Sequence, residues 1–325
     1  MIDLLSDYGL FLAKTVTLVL AIAIPLLLLM RSRATPADRE RLEITDLGDR
    51  YREMGDALKE ASLPRKGLRQ LRRGQRHRKR AVETDQPRLF VLDFHGDLKA
   101  TDVASLREAV TVVLLDAGPG DEVLVRLENA GGVVSEHGLA ASQLVRIRER
   151  GIPLTVAVDK VAASGGYLMA CVADRLLAAP FAVVGSIGAV AGLPNFRRLL
   201  ERHGVDFELH TAGAYKRTLT LFGENTEAGR EKVREQLETI HRLFKDFIAE
   251  YRPSVDLERV ATGEYWYGPQ ALELGLVDRI QTSDDYLLSA RERARIYQVK
   301  YTKRKRPMER LVASMEGRLQ QLLGP

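Results

Sequence analysis

Two short runs of small residues place a hydroxyl and several backbone N–H groups where acyl-transfer chemistry would need them. Residues 129–132 read Asn-Ala-Gly-Gly, and residues 163–166 read Ala-Ser-Gly-Gly. In the second run, small neighbours allow a tight strand-to-helix turn that exposes the Ser164 hydroxyl at a helix N-terminus, where partial positive charge favours an alkoxide. Two such turns on adjacent strands can direct N–H groups at one oxyanion. A serine before glycines is also a common helix N-cap, so this pattern alone leaves both interpretations open.

A serine nucleophile needs a base, and the histidines that follow residue 86 are poorly placed for that role. They lie at the ends of predicted strands and helices or along charged surfaces, without a carboxylate at triad spacing. We predict structural or solvated roles for His95, His137, His203, His210 and His241.

A lysine can act as the base instead if it loses enough water to be neutral near the working pH. Lys216 ends the run Thr-Ala-Gly-Ala-Tyr-Lys, in a small and apolar loop after a predicted strand over residues 205–213. Lys160, Lys232 and Lys245 are its rivals, in more charged surroundings. Spacing favours Lys216 without deciding the choice.

Strand-like and helix-like segments alternate along the chain after Pro87. The apolar periodicity predicts strands over 88–96, 122–128 and 153–159, and helices over 102–115, 136–148 and 226–251. This alternation is typical of an α/β fold with a mostly parallel sheet. In such sheets the reactive loops follow the carboxyl ends of the strands, which is where both glycine-rich runs lie.

Charge and cysteine content exclude some classes of function. The single cysteine, Cys171, excludes an internal disulfide and a cysteine-clustered metal site. Residues 31–80 contain 16 Lys/Arg against 8 Asp/Glu, whereas the whole chain has a net charge of only +5. The basic character therefore belongs to one segment, and we predict no nucleic-acid partner.

The N-terminus predicts a membrane anchor. Residues 8–30, after a short tail over 1–7, are mainly apolar, and Lys14 is their only charged residue. As a helix they would span about 34 Å, enough for a hydrocarbon core of about 30 Å. A cleaved signal peptide is the alternative, but the tail carries Asp3 and Asp7 without a basic residue, and no small-residue cleavage site follows.

Basic segments flank the predicted catalytic domain, which we place at residues 87–296. Residues 31–86 form a basic juxtamembrane linker, and residues 62–80 hold nine Lys/Arg and no acid, suited to anionic headgroups or to a solvated tether. Residues 297–325 form a basic tail with an amphipathic helix. The arginines directly after residue 30 place the following chain in the cytoplasm by the positive-inside rule.

Longer motifs show a family resemblance. The runs at residues 159–170 (DKVAASGGYLMA), 179–190 (APFAVVGSIGAV), 208–226 (ELHTAGAYKRTLTLFGENT) and 263–278 (GEYWYGPQALELGLVD) resemble the signal peptide peptidase SppA family. The similarity is greatest to a shorter, inner-membrane type of that family, and it covers nearly the whole chain. The resemblance implies a ClpP/crotonase-like fold and a peptidase with a Ser–Lys dyad.

The resemblance assigns roles residue by residue. Ser164 matches the nucleophile, Lys216 the general base and Ser186 the hydroxyl that orients the lysine. The oxyanion hole would consist of the N–H of Gly165 and one N–H from Gly131 or Gly132. No metal or organic cofactor is implied.

One departure from the family pattern lies in the first turn. Where the family usually has Ser-Pro-Gly-Gly, this chain has Asn129-Ala130-Gly131-Gly132. Both glycines remain, but without the proline the backbone is less pre-organised, which would loosen the oxyanion hole.

The resemblance also implies partners and a location. The expected substrates are hydrophobic peptides or signal-peptide remnants, and the expected assembly is a homo-oligomeric ring in which neighbouring copies can share a dyad. The apolar face of the helix over 226–251 can make such contacts or pack on its own domain. By resemblance the domain is periplasmic on the bacterial inner membrane, in conflict with the arginine rule.

Two functions of other classes remain open. A crotonase-like acyl-CoA enzyme would share the fold, but it gives no reason for Ser164 with Lys216 or for an anchor. A catalytically silent scaffold in membrane-protein quality control would keep the fold without needing the dyad.

Overall fold

The computed structural model describes residues 9, 11–21, 23, 40–62 and 86–303 of the 325. The chain divides into two compact units, residues 1–42 with 301–325, and residues 43–300. In the first unit, residues 11–21 are helical. Across the described ranges, no helix is both long and apolar enough to cross a membrane. Much of the predicted anchor, residues 63–85 of the basic linker and residues 304–325 of the tail lie outside these ranges.

The second unit is a mixed α/β structure. Its strands, two of which extend past the boundaries of the unit, are β1 (Glu40–Asp46), β2 (Arg88–Gly96), β3 (Glu122–Asn129), β4 (Leu154–Val158), β5 (Val161–Ala163), β6 (Arg175–Ala178), β7 (Val183–Gly185), β8 (Tyr265–Tyr267), β9 (Arg279–Ile280) and β10 (Arg295–Lys303). Its helices are α1 (Leu47–Ser62), α2 (Val103–Asp116), α3 (Val134–Glu149), α4 (Gly165–Ala170), α5 (Arg197–Arg202), α6 (Glu227–Tyr251), α7 (Leu257–Val260), α8 (Gly268–Glu273) and α9 (Ser283–Ala290).

The predicted mostly parallel sheet is confirmed. The strand order is β1-β10-β2-β3-β4-β6-β9, and the pairs from β10 to β9 are parallel. Every residue of β4 is buried. Its continuous apolar run, Leu-Thr-Val-Ala-Val, is typical of a strand covered on both faces.

A short branch leaves this sheet at the carboxyl end of β3. There β5 pairs with β3 through Asn129 and Ala162, and β7 pairs in parallel with β5 and antiparallel with β8. The carboxyl ends of β3, β5 and β7 therefore lie side by side. The turns that follow them begin at residues 130, 164 and 186.

Most predicted elements of the catalytic domain are present within a few residues of the predicted bounds. The strand predicted over 205–213 is wrong, because residues 205–210 have no regular structure and residues 212–213 form a bend. Glycines with positive φ, Gly204 at 66° and Gly213 at 97°, interrupt the extended backbone at both ends. No strand of the described chain pairs with this run, and its apolar side chains Phe207 and Leu209 are exposed.

Ordered elements also occur within the segment assigned to the linker. β1 lies at the edge of the sheet beside β10. Leu47, at the start of α1, is only 4% exposed and belongs to a core cluster against which Tyr51 packs. Burial of these two side chains is a physical reason for residues 43–62 to fold with the catalytic domain.

Candidate active site

Ser164 occupies a strained turn between β5 and α4. Its φ of 51° and ψ of −120° lie outside the regions that a non-glycine residue normally adopts. The turn is held on both sides, since the N–H of Ser164 donates to the Gly185 carbonyl at 2.8 Å and its carbonyl accepts from Leu168 N–H at 3.0 Å. Such a conformation costs about 1–3 kcal/mol and persists only where surrounding contacts enforce it.

The hydroxyl of Ser164 is not used for capping. Although Ser164 stands at the N-cap position of α4, its side chain accepts no capping hydrogen bond. A capping serine would normally have extended backbone and a bond to the second or third N–H of the helix. The geometry is that of a nucleophile elbow, with the hydroxyl held at a helix start.

Glycines allow the two turns to touch. A Cβ on Gly131 would lie 2.7 Å from the Cβ of Ser164, and a Cβ on Gly166 would lie 2.0 Å from the carbonyl oxygen of Asn129. Gly131 also has a φ of 93°, which disfavours any other residue. The sequence pattern Gly-Gly in both turns is therefore a requirement of close approach.

The structure distinguishes the two glycine N–H groups of the first turn. The N–H of Gly131 donates to Asn129 Oδ1 at 2.9 Å. The N–H groups of Gly132 and Gly165 have no acceptor among the described residues. Gly165 is the first residue of α4, where backbone N–H groups have no partner within the helix. Gly132 and Gly165 are thus the donors available for an oxyanion.

Ser186 lies beside Ser164. Gly185 is opposite Ala163 in the β5–β7 pair, so the two serines are the next residues of adjacent parallel strands, which run about 4.8 Å apart. Ser186 also has a φ of 51°, and its N–H donates to the Glu264 carbonyl at 2.6 Å. Neither serine hydroxyl forms a hydrogen bond within the described chain.

Among the described residues, no hydrogen bond or ion pair joins the Lys216 side chain to this site. Lys216 lies in what we call the lysine segment, residues 203–226, and it is exposed. Its backbone N–H donates to the Gly213 carbonyl at 3.1 Å. Its ammonium group makes no hydrogen bond or ion pair with any residue in the described ranges. The expectation of a small apolar loop after a strand is corrected, since Lys216 follows an irregular, exposed segment.

The rival bases are engaged elsewhere. Lys160 forms an ion pair with Glu128, with 3.0 Å between Nζ and Oε2. His137 has both ring nitrogens in contact with oxygen atoms, Nδ1 at 2.9 Å from Val133 O and Nε2 at 3.2 Å from Asn129 Oδ1. Burial raises the pKa of the Cys171 thiol, which keeps it protonated.

Sequence reasoning predicted a structural or solvated role for His137, but it missed the contact between His137 and Asn129. Both side chains are buried directly behind the two turns, with Asn129 1% and His137 0% exposed. The sequence feature that could have indicated this contact is the departure from the family's Ser-Pro at residues 129–130. A polar side chain at such a position, with a histidine eight residues later, indicates a local hydrogen bond.

Fold and site together are typical of a serine hydrolase built on an α/β sheet. Two family descriptions, Peptidase family S49 N-terminal and Peptidase family S49, match residues 3–144 and 146–297. The chain belongs to peptidase family S49, and it is a serine peptidase.

Relatives of similar length agree with this. The chain is 46% identical to a probable protease SohB of Buchnera aphidicola subsp. Acyrthosiphon pisum, covering 99% of this chain and 97% of that protein. It is 43% identical to a probable protease SohB of Haemophilus influenzae, over 93% and 90% of the two chains. A putative signal peptide peptidase SppA of Enterococcus faecium is 29% identical, over 54% of this chain and 51% of that protein. The predicted family resemblance is confirmed.

Proposed function

We propose that this chain is a membrane-anchored endopeptidase that cleaves hydrophobic peptides or signal-peptide remnants through an acyl-enzyme on Ser164. Lys216 is the general base, Ser186 orients it, and the N–H groups of Gly165 and Gly132 bind the oxyanion. The observation that carries the proposal is the strained turn of Ser164. Its hydroxyl makes no capping hydrogen bond, and it lies beside two backbone N–H groups that have no acceptor in the part of the chain that the structure describes. The ClpP/crotonase-like form of the fold is part of the proposal.

The reaction follows from this arrangement. The neutral amine of Lys216 takes the proton from Ser164 Oγ as the oxygen attacks the peptide carbonyl. The oxyanion gains hydrogen bonds from Gly132 and Gly165 that the planar carbonyl does not make as well. Lys216 then protonates the leaving amine, and the acyl-enzyme remains until water, deprotonated by the same lysine, releases the acid and Ser164.

The lysine is proposed to come from a neighbouring copy of the chain. The exposed ammonium of Lys216 has no partner of its own within the described residues, and the surrounding lysine segment exposes apolar side chains. Phe207, Leu209 and Tyr215 are 42%, 46% and 59% exposed. Association would cover these side chains and remove water from the lysine, which favours its neutral form.

The membrane anchor is proposed over residues 8–30. In the part of it that is described, Phe11, Val16 and Leu18 are each at least 50% exposed. The hydroxyls of Thr15 and Thr17 donate to the carbonyls four residues earlier, at 2.9 and 2.7 Å. These bonds satisfy both hydroxyls within the helix, as burial in lipid would require. Family resemblance favours a periplasmic catalytic domain, whereas the arginines after residue 30 favour a cytoplasmic one. The location of a reporter fused after Arg80 decides between the two.

The proposal is tested by hydrolysis of an internally quenched hydrophobic peptide by the full chain in detergent. Ser164→Ala and Lys216→Ala should each lower kcat by about 10³-fold or more, as removal of a catalytic nucleophile or base does. Lys160→Ala is the matched control and should remain active, because Lys160 is paired with Glu128. A wild-type chain that folds but hydrolyses nothing would favour the silent scaffold. Activity that survives in Ser164→Ala would contradict the assignment of the nucleophile.

A further inference from the structure

The turn after β3 lacks the proline that the family pattern has at position 130. Proline fixes φ near about −65° and so reduces the number of conformations open to the turn. Residue 130 is Ala in this chain, and residue 129 is Asn rather than Ser. Something else must hold the N–H of Gly132 in place if this turn is to bind an oxyanion efficiently.

We propose that Asn129 and His137 form a side-chain brace that replaces this proline and positions both oxyanion donors, an inference that rests on the proposed function. Asn129 Oδ1 accepts the N–H of Gly131 at 2.9 Å. That bond fixes the peptide between Ala130 and Gly131, and it directs the N–H of Gly131 away from the site. Gly132 then follows with its own N–H free.

His137 holds the amide of Asn129 from its other side. His137 Nε2 lies 3.2 Å from Asn129 Oδ1, and its Nδ1 lies 2.9 Å from the Val133 carbonyl. A neutral imidazole carries one proton, and with that proton on Nε2 the ring donates to Asn129 Oδ1. The amide cannot be reversed, because Nδ2 would then oppose the N–H of Gly131. In the observed orientation Nδ2 faces Met169 Sδ at 3.4 Å.

The same imidazole also lies against the second turn. A Cβ on Gly165 would come within 2.5 Å of His137 Cγ, so the backbone of Gly165 rests on the ring. One fully buried side chain therefore contacts the donor-bearing backbone of Gly165 directly and reaches that of Gly132 through Asn129. His137 and Asn129 are positioning residues, since they act through these glycines.

The experiment compares His137→Asn with His137→Gln in the full chain. An asparagine amide reaches the place of Nδ1 only, whereas a glutamine amide reaches the place of Nε2 and can still donate to Asn129. We expect His137→Asn to lower kcat for the hydrophobic peptide about 10-fold with little change in KM, and to lower the rate of Ser164 phosphonylation by a fluorophosphonate by the same factor. This loss is smaller than the roughly 10²-fold loss expected when a whole oxyanion donor is removed. His137→Gln should stay within about 3-fold of wild type, since the bond to Asn129 is kept.

A second set of variants tells whether His137 positions the oxyanion donors or only stabilises the fold. Asn129→Ser with Ala130→Pro introduces the family's turn. There His137→Asn should lower the phosphonylation rate by less than about 3-fold, because proline now limits the first turn and only the packing on Gly165 is lost. His241→Asn, on α6, controls for loss of a half-buried imidazole. Melting temperatures are measured for every variant. If His137→Asn does not fold, Asn129→Ala alone and in the Ala130→Pro chain tests the same bond.

The outcomes are distinct. Equal rates for His137→Asn and wild type, or equal losses in both backgrounds, would overturn the brace while Ser164 labelling upheld the proposed function. Absence of both labelling and hydrolysis in the wild-type chain would overturn the two together.

Discussion

Arg252 and Asp278 form the ion pair that fixes the end of α6 to the sheet. Arg252 donates to both carboxylate oxygens of Asp278 at 2.8 Å and to the Gly275 carbonyl at 2.9 Å. The N–H of Leu176 also donates to Asp278, at 2.7 Å. Because α6 directly follows the lysine segment, this pair helps to set where that segment ends.

Removal of this arginine should destabilise the protein. The Arg252 side chain is 8% exposed and that of Asp278 is 38% exposed. We expect Arg252→Ala to lower the free energy of unfolding by about 2 kcal/mol, between the values for exposed and for buried pairs. Arg230→Ala, which breaks an exposed pair with Glu227, should cost less than about 1 kcal/mol. Urea unfolding of the full chain in detergent measures both.

The loss of stability in Arg252→Ala should depend on pH. Burial opposes ionisation of Asp278, but the hydrogen bonds from Arg252 and Leu176 outweigh it and lower its pKa. A lowered carboxyl pKa stabilises the fold above the unfolded pKa of about 3.9 and loses that effect as the pH falls through the folded value. The difference between wild type and Arg252→Ala should therefore shrink below about pH 4. A difference that stays constant down to pH 2.5 would show that the lost packing of Arg252, not its charge, matters.

At the scale of elements, the close contact of the two glycine turns makes a sharp prediction. Gly131 and Gly120 have similar φ values, 93° and 87°, but a Cβ on Gly120 would meet nothing within 4 Å. Either Gly→Ala substitution should cost about 1–2 kcal/mol of backbone strain. Only Gly131→Ala should also displace Ser164 and lower kcat, by about 10²-fold, as misplacement of a reacting group by about 1 Å does. Equal activity of the two variants, by peptide hydrolysis, would contradict the contact.

Elements with a continuous apolar run were predictable from the sequence, and those that depend on distant partners were not. β2, β3 and β4 are buried strands of a parallel sheet, so their pattern is local and strong. The run over 205–213 has the alternating pattern of a strand, but no strand in the described part of the chain pairs with it. Conversely, β1 and α1 lie in a charged segment, and burial of Leu47 and Tyr51 was not visible in that composition.

The candidate site was predictable to a similar extent. A tight turn at Ser164 follows from its small neighbours. Spacing alone favours Lys216 only weakly over the other lysines, and the longer motifs supply the rest. The choice of Gly132 over Gly131 as donor could not be predicted, because it depends on where the Asn129 amide points. That orientation is set by the N–H of Gly131 together with the contact to His137.

At the scale of the whole molecule, the proposed shared dyad places residues of two copies in one catalytic site. Phe196 and Phe207 pack on Phe222 with ring centroids 6.2 and 5.7 Å apart, yet all three remain at least 39% exposed. This small aromatic cluster belongs to the same part of the chain as Lys216. A neighbouring copy that covered it would bring the lysine within a single interface.

The most direct test is co-expression of Ser164→Ala and Lys216→Ala chains that carry different affinity tags. Each is inactive alone, but a mixed assembly contains sites with an intact serine from one copy and an intact lysine from the next. With random mixing, purification through both tags should recover about a quarter of the wild-type kcat per chain, and Ser164 of the Lys216→Ala copy should be phosphonylated. Mixed assemblies that contain both chains and show no activity above either parent would contradict a shared Ser164–Lys216 site.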